Sequence, residues 1–397
     1  MVLHNQLKYI LFIVTSLTQS IVGAQISDLK IADSLYILEN YSEAIHTYQK
    51  IIPKDQYVLL QIAKAHRAKG TYLDALKYYE EVIRQDTTII SAELEYAKLL
   101  MTTNKFKKAD SVYSNLVLKH DKNPNFQYRL GLVKKKLKDS TAIIYFEEAF
   151  RLDSTHQKSC FEVSMHYLKK RKYDKVDNIA NKGLSSYREN PELMNVLAQN
   201  YLLRKYYDKA IPYFEKLIDL NFGNEFVHAS LGLCYHNNYE WEKAIPQYLK
   251  ALKYNNQVPL RHKRLADAYT SIQKYDEALL FYKLALELKD TPIVEDLLNI
   301  AKTYRHKEEW ENAIKHTKLA LKEKPNSYQI KYQLATYTDA YFKDPKVKLR
   351  HYNNCLKQLE ADKDSNTYKK FLKETVNKRI TQLEKEIEAE KKMPERK

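Results

Sequence analysis

A chain of 397 residues with 44% hydrophobic and 29% charged residues can bury a core, which excludes a disordered protein and a membrane protein with many spans. Only 6 Gly and 10 Pro are present, too few for the tight turns of a β-sandwich, barrel or propeller of this length. The composition therefore predicts helices, and the formal net charge of +16 favours acidic partners or anionic surfaces.

The first 24 residues are typical of a secretion signal. Lys8 precedes an apolar run over residues 9–14, and Val22 and Ala24 stand three and one residues before a cleavage point after Ala24. We expect residues 1–24 to be a signal peptide and the mature protein to be exported, to the periplasm, the envelope or the exterior of a bacterial cell. An uncleaved anchor is the alternative, which the short and interrupted apolar stretch disfavours.

An internal repeat follows this segment and continues through most of the chain. Its marker is an Ala with an aromatic residue four positions later in most units, and Val176 stands in its place in the fifth unit. Successive markers lie 31 to 35 residues apart, at Ala44, Ala75, Ala109, Ala142, Val176, Ala210, Ala244, Ala278 and Ala313.

A second small residue lies twelve positions before most markers. Small side chains at both positions let two helices approach closely, so each unit is predicted to be an antiparallel helix pair. Gly131 is displaced by one position, and the others are Ala32, Ala63, Ala97, Ser164, Ala198, Gly232, Ala266 and Ala301. Pro212 and Pro246 follow their markers by two residues, where the pattern predicts the first turn of the second helix.

The pattern predicts ten units and a charged C-terminal helix over residues 365–397. The units lie near residues 25–55, 56–89, 90–122, 123–156, 157–190, 191–224, 225–258, 259–293, 294–327 and 328–360. The C-terminal helix has one apolar stripe, formed by Leu372, Val376, Ile380, Leu383 and Ile387. A helix of this kind covers the exposed apolar face of a last repeat, which we favour over a coiled coil with a partner.

These positions resemble the tetratricopeptide repeat over residues 25–360. The sixth to ninth units match the family pattern best, and in the eighth unit the matching residues are Ala266, Tyr269, Ala278, Tyr282 and Ala285. The resemblance implies an all-α fold, a right-handed superhelical solenoid of about ten antiparallel helix pairs with a C-terminal capping helix. The fourth unit departs from the pattern, with Lys134 where the family has Tyr.

The sequence contains none of the motifs that carry catalysis or cofactor binding, so we expect no enzyme, no catalytic residue, no cofactor and no metal site. His228 and His262 occupy equivalent places in neighbouring units, where the family has a large packing residue, which favours packing over metal binding. Cys160, Cys234 and Cys355 are far apart in sequence and are expected to be buried small apolar residues rather than a disulfide framework.

The family binds its partners mainly on the concave face, which the first helix of each pair lines. By the family's register the positions that face inward in the middle units are Phe161, Met165, Asn195, Gln199, Phe226, Leu233, His236, Lys263, Asp267, Thr270, Leu298, Lys302 and Arg305. This mixed lining suits an extended peptide or a helix, so we expect a noncatalytic scaffold or adaptor that binds a peptide or protein in this groove. The other interpretation of these residues is packing against the adjacent unit.

One subset of the family binds a terminal carboxylate through a clamp of Lys, Asn and Arg side chains. Lys263 and Asn299 occupy two of its places, but Asp267 stands where an Asn is needed and would repel the ligand. We therefore do not expect this clamp.

The alternative function is electrostatic binding of an anionic polymer or a membrane surface, through the net charge of +16. Glycans and lipid headgroups are the candidates, with peripheral association with a membrane or cell wall, and nucleic acid ranks last because the protein is expected to be exported. Electrostatic binding weakens steeply with salt, whereas an apolar peptide in a groove persists.

Overall fold

The computed structural model describes residues 28–289, 293–362 and 366–392. All regular secondary structure in these ranges is α-helical, as the composition predicts. The predicted signal peptide lies outside the described residues. Within them, no helix is long and apolar enough to span a bilayer.

The chain divides between Val196 and Leu197 into two compact units. The helices of the first unit are α1 (residues 28–37), α2 (Tyr41–Lys50), α3 (Gln56–Lys69), α4 (Tyr72–Gln85), α5 (Ile90–Thr102), α6 (Phe106–Lys119), α7 (Pro124–Lys136), α8 (Ala142–Leu152), α9 (Gln157–Lys169) and α10 (Tyr173–Ser186). Helix α11 (Pro191–Leu203) contains the boundary. The helices of the second unit are α12 (Tyr207–Asp219), α13 (Glu225–Asn237), α14 (Trp241–Tyr254), α15 (Pro259–Ser271), α16 (Tyr275–Glu287), α17 (Val294–His306), α18 (Trp310–Glu323), α19 (Tyr328–Tyr341), α20 (Pro345–Ala361) and α21 (Thr367–Lys392).

Consecutive helices pack on one another in both units, and the fold is an all-α repeat solenoid. The small residues lie where the helices touch. All eight marker alanines are buried, and Ala63, Ala97, Ala266 and Ala301 are completely so. Gly131 and Gly232 show why these positions need small residues. A Cβ on Gly131 would lie 2.7 Å from the Phe146 ring, and one on Gly232 would lie 2.8 Å from the Tyr248 ring. The prediction that each pair meets at small side chains is therefore confirmed.

The turns inside the first nine pairs share one backbone geometry, which the turn between α19 and α20 does not have. One residue adopts the left-handed conformation, at Glu39, Gly70, Asn104, Lys138, Arg171, Lys205, Tyr239, Gln273 and Glu308. The amide of the next residue donates to a carbonyl at the end of the first helix, as Lys274 N–H does to Tyr269 over 2.9 Å. Since only one of these nine positions is Gly, the low glycine content is compatible with many turns.

One expectation about proline is wrong. Pro212 and Pro246 are each the sixth residue of their helices, α12 and α14, and not part of the first turn. Each removes a donor that would otherwise bond to a carbonyl four residues earlier. The helices continue through both positions.

The C-terminal helix covers an apolar surface of the second unit, as predicted. Leu372, Val376, Ile380 and Leu383 of α21 are buried in a cluster with residues of α19 and α20. Ile387 is half-buried. The guanidinium of Arg379 donates two hydrogen bonds to the Asp339 carboxylate, over 2.8 and 2.9 Å.

Candidate functional site

The thirteen residues of the predicted groove lie on first helices of pairs, and none of them is fully buried. Ten are half-buried, and Phe226, Lys302 and Arg305 are exposed. Each side chain is thus at least partly accessible to solvent. Its contacts within the protein indicate whether it packs, pairs with another residue or lines a cleft.

Phe161 and Met165 lie in one cleft of the first unit, which we call the α9 cleft. It has a volume of about 540 Å³ and lies between α7, α8 and α9. The lining residues are Lys135, Ser140, Ala142, Ile143, Phe146, Phe161, Glu162, Met165, His166, Lys169 and Lys170.

The floor of the α9 cleft is apolar and its rim is basic. Ile143 and Phe146 of α8 face Phe161 and Met165 of α9 across the cleft. On the rim, Lys135 forms an ion pair with Glu162 over 2.6 Å, whereas the exposed Lys169 and Lys170 have no carboxylate partner among the described residues. The cleft therefore offers a site for a large apolar side chain, with two free positive charges beside it.

A smaller cleft of 290 Å³ repeats this arrangement two pairs earlier. Arg67 forms an ion pair with Glu95 over 2.7 Å. These two residues occupy the same repeat positions as Lys135 and Glu162. Lys98 lines this cleft at the position equivalent to Met165, and it pairs with Glu95 over 2.6 Å. The α9 cleft is thus more apolar than the smaller cleft, because Met165 stands where the smaller cleft has a charged residue.

The polar groove positions of the second unit are largely engaged within the protein. Lys263 forms an ion pair with Glu295. Asp267 accepts a hydrogen bond from the Tyr282 hydroxyl over 2.5 Å, and the Thr270 hydroxyl donates to a backbone carbonyl of α15. A carboxylate clamp at Lys263 would have to compete with Glu295, a second reason against it.

Nδ1 of His236 and the hydroxyl of Tyr248 are among the buried polar atoms that have no hydrogen-bond partner in the described chain. Burial lowers the pKa of His236 and raises that of Tyr248, so both groups are neutral near pH 7. The His236 ring packs edge-on against Trp241 with 4.6 Å between centroids, which holds it in place.

The remaining groove positions divide between packing and exposure. Leu298 packs on a cluster containing Ile330 of the next pair, and Phe226 contacts the Phe214 ring edge-on. The Arg305 guanidinium lies 3.2 Å from the imidazole of His306. Asn195, Gln199 and Leu233 are half-buried, and Lys302 is exposed.

The histidines and cysteines singled out from the sequence are buried. His228 and His262 are both 6% exposed, and His262 donates through Nε2 to the Asn256 carbonyl over 2.8 Å. The three cysteines are buried, as predicted, and none of them is in a disulfide. Burial raises the pKa of Cys160 to about 11. In the described part of the chain, no group of three His, Cys, Asp or Glu side chains could hold a metal ion.

Family models of the tetratricopeptide repeat match residues 191–224 and residues 262–292. The chain contains tetratricopeptide repeats. Repeats of this kind serve protein–protein interaction, and the matches support that general role here. No protein of curated function matches the sequence significantly.

Several solved structures are similar to this chain. YrrB, a "TPR protein with an unusual peptide-binding site", is 17% identical, with a TM-score of 0.44 over 47% of this chain and 96% of its own. A tetratricopeptide repeat protein from Parabacteroides merdae is 13% identical, with a TM-score of 0.43 over 62% of this chain and 98% of its own. Yeast Tom70 is 13% identical, with a TM-score of 0.36 over 92% of this chain and 96% of its own.

Sequence reasoning missed most of the α9 cleft. The register assigns the concave face to first helices, so it found Phe161 and Met165 but not Ile143 and Phe146, which are on the second helix α8. The doublet Lys169 and Lys170 at the end of α9 was the available signal for a basic rim.

Proposed function

We propose that this protein is a noncatalytic scaffold or adaptor that binds an extended peptide segment of a partner protein in the α9 cleft. A large apolar side chain of the peptide enters between Phe146, Phe161 and Met165. Acidic residues beside it pair with Lys169 and Lys170. The observation that carries the proposal is an apolar cavity of about 540 Å³ with uncompensated positive charge on its rim.

The size and chemistry of the cleft support this type of ligand. Burying a side chain the size of Phe or Leu contributes about 1.5–3 kcal/mol, and such anchors dominate the affinity of peptide interfaces. Lys169 and Lys170 add orientation and selectivity, because rim charges affect specificity and association rate more than affinity.

A display library of random peptides tests the proposal with the full mature chain as bait. Enriched peptides should contain one large apolar residue with Asp or Glu within two positions. Replacing Met165 with Lys, the residue at the equivalent place in the smaller cleft, should weaken their binding by at least about tenfold, since it puts a charge into the apolar floor.

The matched control is Lys98→Met in the smaller cleft, which should leave peptide affinity unchanged. Binding should also persist when salt is raised from about 0.05 to 0.5 M, because burial of an apolar side chain is not screened. Tighter binding after Met165→Lys, or binding that disappears with salt, would favour the electrostatic alternative, and equal loss in both variants would contradict binding in the α9 cleft.

We further propose that the protein acts outside the cytoplasm, after removal of residues 1–24. The support is the sequence pattern that ends at Ala24. N-terminal sequencing of the protein from fractionated cells should begin at Gln25, and an intact N-terminus in the cytoplasmic fraction would contradict export.

A further inference from the structure

A second cleft lies in the second unit, away from the groove positions, and its chemistry is different. It has a volume of about 410 Å³ and lies where the loop between α12 and α13 meets α14. Lys250, Lys253 and Tyr254 line one side, and Asn221, Gly223 and His228 line the other. We call it the His228 cleft.

The charge in the His228 cleft is uncompensated. Lys250 and Lys253 lie three residues apart on α14, on one face of the helix, and neither pairs with a carboxylate among the described residues. No Asp or Glu lines this cleft. The side-chain amide of Asn221 has no partner within the described ranges, which adds a neutral donor.

The imidazole of His228 adds a third kind of polar group to the cleft. His228 is only 6% exposed, and its Nδ1–H donates to Oε1 of Gln247 over 2.8 Å. The other ring nitrogen, Nε2, has no hydrogen-bond partner in the part of the chain that the structure describes. It is directed toward Gly223, where a Cβ would lie 3.0 Å from it.

The ring is also held rigidly. It stacks on Tyr254 with 6.2 Å between centroids, and the Tyr254 hydroxyl donates to the Gly223 carbonyl over 2.9 Å. Glycine at position 223 keeps the approach to Nε2 open. The cleft thus presents two ammonium groups, one amide and one fixed imidazole nitrogen to the same space.

We propose that the His228 cleft binds a phosphate monoester. The two lysines neutralise the charge of the phosphate, and Nε2 of His228 forms a hydrogen bond with one of its oxygens. A phosphate monoester has its second pKa near 6, so its monoanion has a P–OH group that can donate a hydrogen bond to Nε2. A sulfate ester has no such proton at neutral pH, so it is bound less tightly.

Isothermal titration of the full mature chain at constant ionic strength tests this site. The probes are inorganic phosphate, glycerol 3-phosphate, inorganic sulfate, and phosphatidylcholine vesicles with and without phosphatidic acid. Glycerol 3-phosphate should bind at least about tenfold more tightly than sulfate, because one charge-assisted hydrogen bond contributes about this factor to the affinity. Binding to phosphatidic acid vesicles alone would assign the phosphate to a lipid headgroup, and binding to the soluble ester would assign it to a small molecule.

Two variants locate the site. Lys250→Ala with Lys253→Ala should weaken phosphate binding at least about tenfold, because two charge-assisted contacts are lost. Gly223→Ala should weaken it as well, since the added methyl group crowds Nε2. Circular dichroism verifies that both variants fold.

The matched control is Lys315→Ala with Lys318→Ala, a pair of exposed lysines with the same spacing on α18. It should leave phosphate affinity within about twofold, since screened surface charges contribute little. The proposal is overturned if the control loses as much affinity as the Lys250 and Lys253 variant, if sulfate binds as tightly as phosphate, or if no phosphate probe binds.

Discussion

At the scale of single residues, the repeat depends on small side chains in the helix pairs and on left-handed residues in their turns. The small side chains could be identified from spacing, because they recur at fixed distances from the markers. The left-handed positions could not, because Lys205, Tyr239, Gln273 and Glu308 have no type in common. A side chain in this conformation costs roughly 1–2 kcal/mol relative to glycine, and the hydrogen bonds of the turn impose it nonetheless.

Replacement of Gln273 by Gly should therefore stabilise the protein by about 1 kcal/mol, since glycine adopts the left-handed conformation without steric cost. Gln273 is exposed, so few contacts are lost. The measurement is the Tm from thermal unfolding followed by circular dichroism. Lys274→Gly is the control, because Lys274 has a negative φ of −86°, and it should not raise the Tm.

At the scale of elements, α21 stabilises the end of the second unit through both apolar and ionic contacts. The apolar stripe was predicted from its spacing of three and four residues. The pairing of Arg379 with Asp339 was not, because the two residues are forty positions apart and belong to different helices. Burial alone would raise the pKa of Asp339, but the adjacent Arg379 and Lys348 hold it below its usual range.

Replacement of Arg379 by Ala should destabilise the second unit by about 1–3 kcal/mol, because Asp339 loses two charged hydrogen bonds while Lys348 remains at 3.2 Å. Lys378→Ala, an exposed neighbour on α21, should have almost no effect. Urea unfolding followed by fluorescence measures the difference.

The same interaction predicts a dependence on pH. Since the pKa of Asp339 is lowered in the folded state, its stabilisation is complete above the unfolded value near 4 and decreases as pH falls through the folded value. The loss caused by Arg379→Ala should thus be largest above pH 5 and decrease toward pH 3. A loss that is constant over this range would show that the ion pair contributes little.

At the scale of elements, the sequence also predicted only part of the α9 cleft. A register defined on first helices predicts residues such as Met165, but a cavity forms where three helices and a turn meet. Its second wall comes from Ile143 and Phe146, which the same register assigns to packing. Residues that come together only when three helices and a turn pack against one another have no fixed spacing in the sequence.

At the scale of the whole molecule, the markers predicted an all-α repeat solenoid, because a period near 34 residues is a property of the chain and not of any site. The proposed binding functions, in contrast, belong to individual sites. The net charge of +16 suggests general attraction to anions, but the two clefts are specific: one has an apolar floor, and the other has a fixed imidazole. We therefore expect selective binding to exceed nonspecific attraction at physiological salt.

The most direct test of the central claim is photo-crosslinking of the mature protein in its own cells from the rim of the α9 cleft. A photoreactive residue at Lys169 should give a covalent adduct with one partner protein, identified by mass spectrometry. The same residue at Lys107, which is exposed on the second helix α6, should not give this adduct. Identical adducts from both positions, or none from Lys169, would contradict peptide binding in the α9 cleft.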